Sequence, residues 1–131
     1  MIIREKYTCP LELSLDLIKG KWKPIIIWIL RKGPYQLSYL QKNIEGINQK
    51  MLIQHLKELV EYGIVNKKIY DGYPLKVEYF LTDWGFRYLD GLIIFQQIGK
   101  KFLEKQSQWL FSKNSFLSLF NTLYIILFVS I

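Results

Sequence analysis

The stretch from Gly46 to Tyr79 leaves the chain little freedom in how it can fold. From Asn48 to Tyr62, the residues Leu52, Leu56, Leu59 and Val60 fall on one stripe of a 3.6-residue helix. A polar set, Asn48, Gln49, Lys50, Gln54 and Lys57, fronts that helix, and Gly63 ends it. Two runs with strand character follow, Ile64 to Tyr70 and Leu75 to Leu81, joined by the turn formers Asp71-Gly72-Tyr73-Pro74. A helix running straight into a β-hairpin is the predicted kernel of the fold.

Upstream, Leu11 to Lys19 reads as a short amphipathic helix after Pro10, with Gly20 ending it. Pro24 stands where a first helical turn tolerates it. The run from Ile25 to Arg31 is apolar almost all round, so it is predicted to lie in the middle of the core. Gly33-Pro34 stops it. Tyr35-Gln36-Leu37 fits a short strand, and Ser38 with Gln41 matches a capping box that opens a helix through Asn43, burying Leu40 and Ile44. A tight link, Glu45-Gly46-Ile47, then leads to the helix at Asn48. Short helix, turn and polar-fronted helix together make a helix-turn-helix. Beyond the hairpin, Thr82 can cap a long helix starting near Asp83, with Trp84, Tyr88, Leu89, Leu92, Phe95, Gly99 and Phe102 at helical spacing. Ile93, Ile94 and Ile98 add an adjoining face, more than one small core needs, so part of this helix is predicted to meet a partner subunit. Ile27, Trp28, Leu30, Leu40, Leu52, Leu56, Leu59 and Tyr79 are predicted to form much of the core.

The 131 residues suffice for one domain with a single core. Eighteen Lys and Arg against 11 Asp and Glu give a net charge of +7, and nothing after Lys113 is charged. Such a basic domain suits a polyanion, nucleic acid before membrane. The lone Cys9 excludes a disulfide within the chain and suggests a reducing compartment. One histidine, His55, provides no zinc cluster and no catalytic Cys-His pair, so neither a metal nor a cofactor is expected. An enzyme using Cys9 as nucleophile would lack a base.

Charge and element order point to a winged helix-turn-helix that binds double-stranded DNA: mainly α, with a small β-hairpin wing (α+β). A reading helix needs short or forked polar side chains near its N-terminus, the end that enters the major groove. Glutamine can meet adenine bidentately, and lysine can meet guanine acceptors or phosphate. Gln49, Lys50, Gln54 and Lys57 fit those roles, and Asn48 fits a cap whose amides could also hold a phosphate. Lys67, Lys68 and Lys76 surround the hairpin tip and suit phosphate contacts that add affinity rather than sequence choice.

Four motifs in order sharpen this: Cys9-Pro10, Gly20-Lys21-Trp22-Lys23-Pro24, Gly46-Ile47-Asn48-Gln49-Lys50-Met51-Leu52, and Lys76-Val77-Glu78-Tyr79 with Leu81-Thr82 and Gly85. Together they resemble the HxlR-type transcriptional regulators, winged-helix proteins akin to the MarR group, over roughly residues 7 to 105. The resemblance implies a homodimer built from N- and C-terminal helices, acting on near-palindromic operators in the bacterial cytoplasm. It makes the helix from Asn48 the recognition helix and Asp71 to Lys76 the wing tip. Asn48 departs from the Ser of many members, but it caps equally well. In some members the cysteine equivalent to Cys9 senses electrophiles or oxidants, and a thiolate near Arg4, Lys6 and a helix start has a physical route to reactivity. The competing reading of Cys9 is a partly buried structural residue. The inducer, small molecule or oxidant, is left open.

Residues 1–113 are read as the DNA-binding and dimerisation domain, and 114–131 as an apolar tail outside the family pattern. The run from Phe116 is shorter than the ~20 residues of a spanning helix and holds Asn121 and Thr122. It stands as a membrane anchor, a helix packed on the dimer, or a frameshifted end. An interaction module that kept the fold and lost DNA binding is the competing function.

Overall fold

The computed structural model describes residues 4, 6–113 and 127. The three readings of the tail therefore lie outside the described residues, apart from Leu127. In order the elements are α1 (Pro10–Leu17), α2 (Trp22–Leu30), β1 (Tyr35–Gln36), α3 (Leu37–Asn43), α4 (Gln49–Glu61), β2 (Val65–Tyr70), β3 (Lys76–Leu81) and α5 (Asp83–Lys113). The strands form one antiparallel sheet in the order β1-β3-β2. By contacts the chain divides into two units, Met1–Asp90 and Gly91–Ile131. Among the described residues no helix is long and apolar enough to cross a membrane.

The core of the first unit forms where α2 packs on α4 and α4 on β2. Ile26, Ile27 and Leu30 of α2 meet Leu52, Leu56 and Leu59 of α4, with Leu40, Ile44, Ile47, Ile64, Val65, Leu81 and Leu89 closing the remaining sides. Burial of each such side chain contributes about 1.5–3 kcal/mol. Helix α2 begins three residues before the predicted Ile25, because Pro24 needs no amide partner in a first turn. That early start carries Lys23 into the core. Trp28 and Tyr79, predicted in the core, are only half-buried. The Trp28 ring takes the Arg31 guanidinium at 4.2 Å on its open face. Tyr79 sits on the central strand between Tyr35 and Lys67, and burial still raises its phenol above the ordinary value of 10.0.

Two junctions hold α4 and α5 in place. Gly63, at φ +71°, ends α4 in the left-handed region that glycine adopts without a Cβ penalty. Its N–H donates to Val60 O at 3.1 Å while Ile64 N–H donates to Leu59 O at 3.0 Å, so the last turn is closed from outside. Thr82 then caps α5 as predicted: its hydroxyl accepts from Gly85 N–H at 3.3 Å and donates to Gly63 O and Ile64 O. A Cβ at Gly85 would collide with the Ile64 carbonyl oxygen, so this approach of α5 to β2 requires glycine.

The predicted capping box at Ser38 does not form. Pairing of Gln36 with Glu78 keeps Gln36 extended, and α3 starts at the next residue, so Ser38 is already inside the first turn. Gln41 instead donates from Nε2 to Ile47 O at 2.5 Å, fastening the turn between α3 and α4. Helix α1 stops at Leu17, short of Lys19, and none of its residues is fully buried.

Candidate nucleic-acid interface

Asn48 opens α4 as predicted. Its backbone is extended, and its Oδ1 accepts from Met51 N–H at 2.8 Å. With Leu52, Leu56 and Leu59 fixed in the core, the helix period turns Gln49, Lys50, Ile53, Gln54 and Lys57 to solvent. Gln49, Lys50, Ile53 and Gln54 line a shallow depression of about 390 Å³. The structure thus brings all five predicted α4 residues onto the exposed side of the helix or its capped start. An exposed apolar residue, Ile53 (46% exposed), stands among them.

Beneath that face lies a chain of polar contacts. Gln54 Nε2 donates to Glu58 Oε1 at 3.0 Å, and Glu58 Oε2 pairs with the ammonium of Lys23, which is only 2% exposed. The Lys23 ammonium also faces the Tyr62 ring at 5.7 Å. Burial alone would push the Glu58 carboxyl up, but the bonds from Lys23 and Gln54 outweigh it and hold it below its ordinary 4.5. Next to this pair, burial and the Lys23 charge lower the His55 imidazole below 6.5, and its Nδ1 has no protein partner.

On the hairpin, Lys67, Lys68 and Lys76 are all exposed. Lys68 lies opposite Glu78 in the register, and Lys76 Nζ pairs with Glu78 Oε1 at 2.9 Å, raising the Lys76 ammonium above its ordinary 10.5. The ammoniums of Lys68 and Lys76 both face the Tyr70 ring, at 4.8 and 4.9 Å. These two wing cations are therefore organised around one aromatic side chain. At the tip, Tyr73 and Leu75 are exposed.

Cys9 occupies the N-cap position of α1 and is exposed in the single chain, which counts against the partly buried structural reading. The Arg4 guanidinium, predicted to stand near the thiol, goes instead to Glu12 Oε1 at 2.6 Å and Asp16 Oδ2 at 3.0 Å. Glu12 also accepts from the Thr8 amide and hydroxyl, bonds that with Arg4 hold it below its ordinary 4.5. No group of three or more His, Cys, Asp or Glu able to hold a metal occurs among the described residues.

A family model described as HxlR-like helix-turn-helix matches residues 17–107. The chain belongs to the HxlR-like family. Its relatives include the HTH-type transcriptional regulator YkvN of Bacillus subtilis, 43% identical over 81 residues, 62% of this chain and 69% of that protein. Among solved structures, the redox regulator HypR in its reduced form superposes with a TM-score of 0.69 at 33% identity, covering 71% of this chain and 92% of HypR. The crystal structure of the HTH-type regulator YtcD gives 0.68 at 37% identity, covering 74% of this chain and 99% of YtcD. The HxlR-like chain is thus a transcriptional regulator with the winged helix-turn-helix fold, and not an enzyme.

Within this HxlR-like fold, sequence reasoning missed Lys23, Glu58 and Ile53. Lys23 could have been suspected as one cation inside the run from Trp22 to Leu30. Glu58 borders the buried stripe of α4, where a carboxylate requires a partner. Ile53 breaks the polar front that the period of α4 otherwise predicts.

Proposed function

We propose that the protein acts as a homodimer on a near-palindromic operator in the bacterial cytoplasm, with α4 in the major groove and the β2–β3 hairpin on the flanking phosphates. The observation that carries this reading is the exposed row Gln49, Lys50, Gln54 and Lys57 on a capped helix whose opposite side is locked into the core. Glutamine amides match adenine, and lysines match guanine acceptors or phosphate. Lys67, Lys68 and Lys76 supply sequence-independent attraction. The exposed stripe Phe95, Ile98 and Phe102 on α5 supports a second copy as partner. Retention of the polar α4 row counts against an interaction module that has lost DNA binding.

Oxidant or electrophile control through Cys9 forms the second part of the proposal. The thiol is exposed, it is the only thiol in the chain, and a structural relative is named as a redox regulator. Pro10, the next residue, lines an apolar cavity of about 400 Å³ together with Leu13, Leu17, Tyr62 and Trp84, so an adduct would form beside the packing of α1.

Sites selected from a random duplex pool provide the test. Gln54→Ala should relax choice at one or two base pairs, at a cost of ~1–3 kcal/mol for the matched base. Lys68→Ala should weaken all sequences alike and lower the salt slope by about one. Equal weakening of every duplex by both substitutions would overturn the division between reading helix and positioning wing.

A further inference from the structure

A glutamine carboxamide can face DNA in two ways. With its oxygen and one N–H presented, it complements adenine, whose major-groove edge offers the N7 acceptor and the N6 donor. Rotated so that the amino group leads, it can donate to the N7 and O6 acceptors of guanine. An exposed, unrestrained amide therefore discriminates poorly between the two purines. In this protein the amide is restrained. Glu58 Oε1 lies 3.0 Å from Gln54, and an ionised carboxylate only accepts, so the amide nitrogen must point at Glu58 and Oε1 is turned away from it. One N–H of the amino group is used there, and the second remains.

Glu58 in turn has little freedom to let go. Its other oxygen holds the Lys23 ammonium, and Lys23 is 2% exposed in the α2–α4 core. Swinging the carboxylate outward would leave a buried cation without its counter-charge. The restraint on a surface glutamine is thus anchored in the interior of the protein.

We propose that Glu58, held by Lys23, is a positioning residue that fixes the Gln54 carboxamide in the orientation that accepts adenine and rejects guanine. This rests on α4 being the recognition helix.

The experiment compares wild type, Gln54→Ala and the double variant Lys23→Met/Glu58→Leu in site selection from a randomised duplex pool. The double variant replaces the ion pair by apolar side chains, which avoids a lone buried charge, and a thermal melt verifies that it folds. In the wild type, the base pair whose preference disappears in Gln54→Ala should be adenine, favoured over guanine by on the order of tenfold. The double variant should lose that discrimination at the same base pair by admitting guanine, while keeping its other preferences and its salt slope. Lys23→Met/Glu58→Gln returns a carbonyl acceptor opposite Gln54 and should restore the choice of adenine. Full adenine preference in the folded double variant overturns the assignment, and so does equal loss of preference at every position, which would signify a displaced helix. A wild type without base preference anywhere overturns the reading of α4 itself, an outcome distinct from both.

Discussion

The two oxygens of Glu58 face different worlds, one a lysine in the core and the other a glutamine at the surface. Its charge, with that of its neighbour His55, makes the stability of the fold depend on pH in one direction. The folded-state His55 value lies below 6.5, so the unfolded chain takes up a proton that the folded imidazole resists. That contribution is fully present above about pH 6.5 and declines as the pH falls below it. Glu58 is held below 4.5, so its contribution is present above that value and is lost as the pH falls through the folded one. Urea midpoints should therefore fall from pH 7 to pH 5 and more steeply below 4.5, and His55→Gln should flatten the first part of the curve. A midpoint unchanged from pH 7 to pH 4 would contradict this account. The apolar stripe of α4 was legible in the sequence because burial follows the helical period. The Lys23–Glu58 pair was not, because a lysine and a glutamate 35 positions apart meet only through the packing of α2 on α4.

Among the elements, the helix starts differ in how they are held, and the difference is measurable. Asn48 bonds the Met51 amide, so Asn48→Ala should destabilise the protein by about 0.5–2 kcal/mol. Ser38, which carries the fuller capping-box signature with Gln41, makes no cap, and Ser38→Ala should change the stability by no more than about 0.5 kcal/mol. Comparable losses in the two variants would show that Ser38 caps α3 in solution. Local pattern succeeded at Asn48, Thr82 and Gly63, where the backbone is free to adopt the capped form. It failed at Ser38 because a two-residue strand, paired with β3 from far along the chain, sets where α3 begins. The hairpin was visible as two strand-like runs around a turn, and the short strand at Tyr35 was read as well, but its pairing with β3 was not.

For the molecule as a whole, the long helix α5 leaves Phe95 and Phe102 63% and 67% exposed, two turns apart on one face. If the proposed dimer forms through this face, Phe95→Glu/Phe102→Glu should keep the melting behaviour of the first unit and sediment as a monomer with reduced affinity for a two-half-site duplex. An unchanged dimer would place the subunit contact elsewhere. The sequence made this surplus of apolar residues plain, but periodicity alone cannot name what covers them. The net charge of +7 was equally plain, and it governs attraction to a polyanion from a distance. At contact, number matters less than arrangement. A lysine side chain carries about 2 kcal/mol of rotamer entropy, and Lys68 and Lys76 give up part of theirs to the ring of Tyr70 when the hairpin folds. Removal of that ring would leave the count of cations, and hence of displaced counterions, as it was. In the proposed complex it would still weaken the hold on phosphate, because two tethers already drawn in would again have to be ordered at the moment of binding.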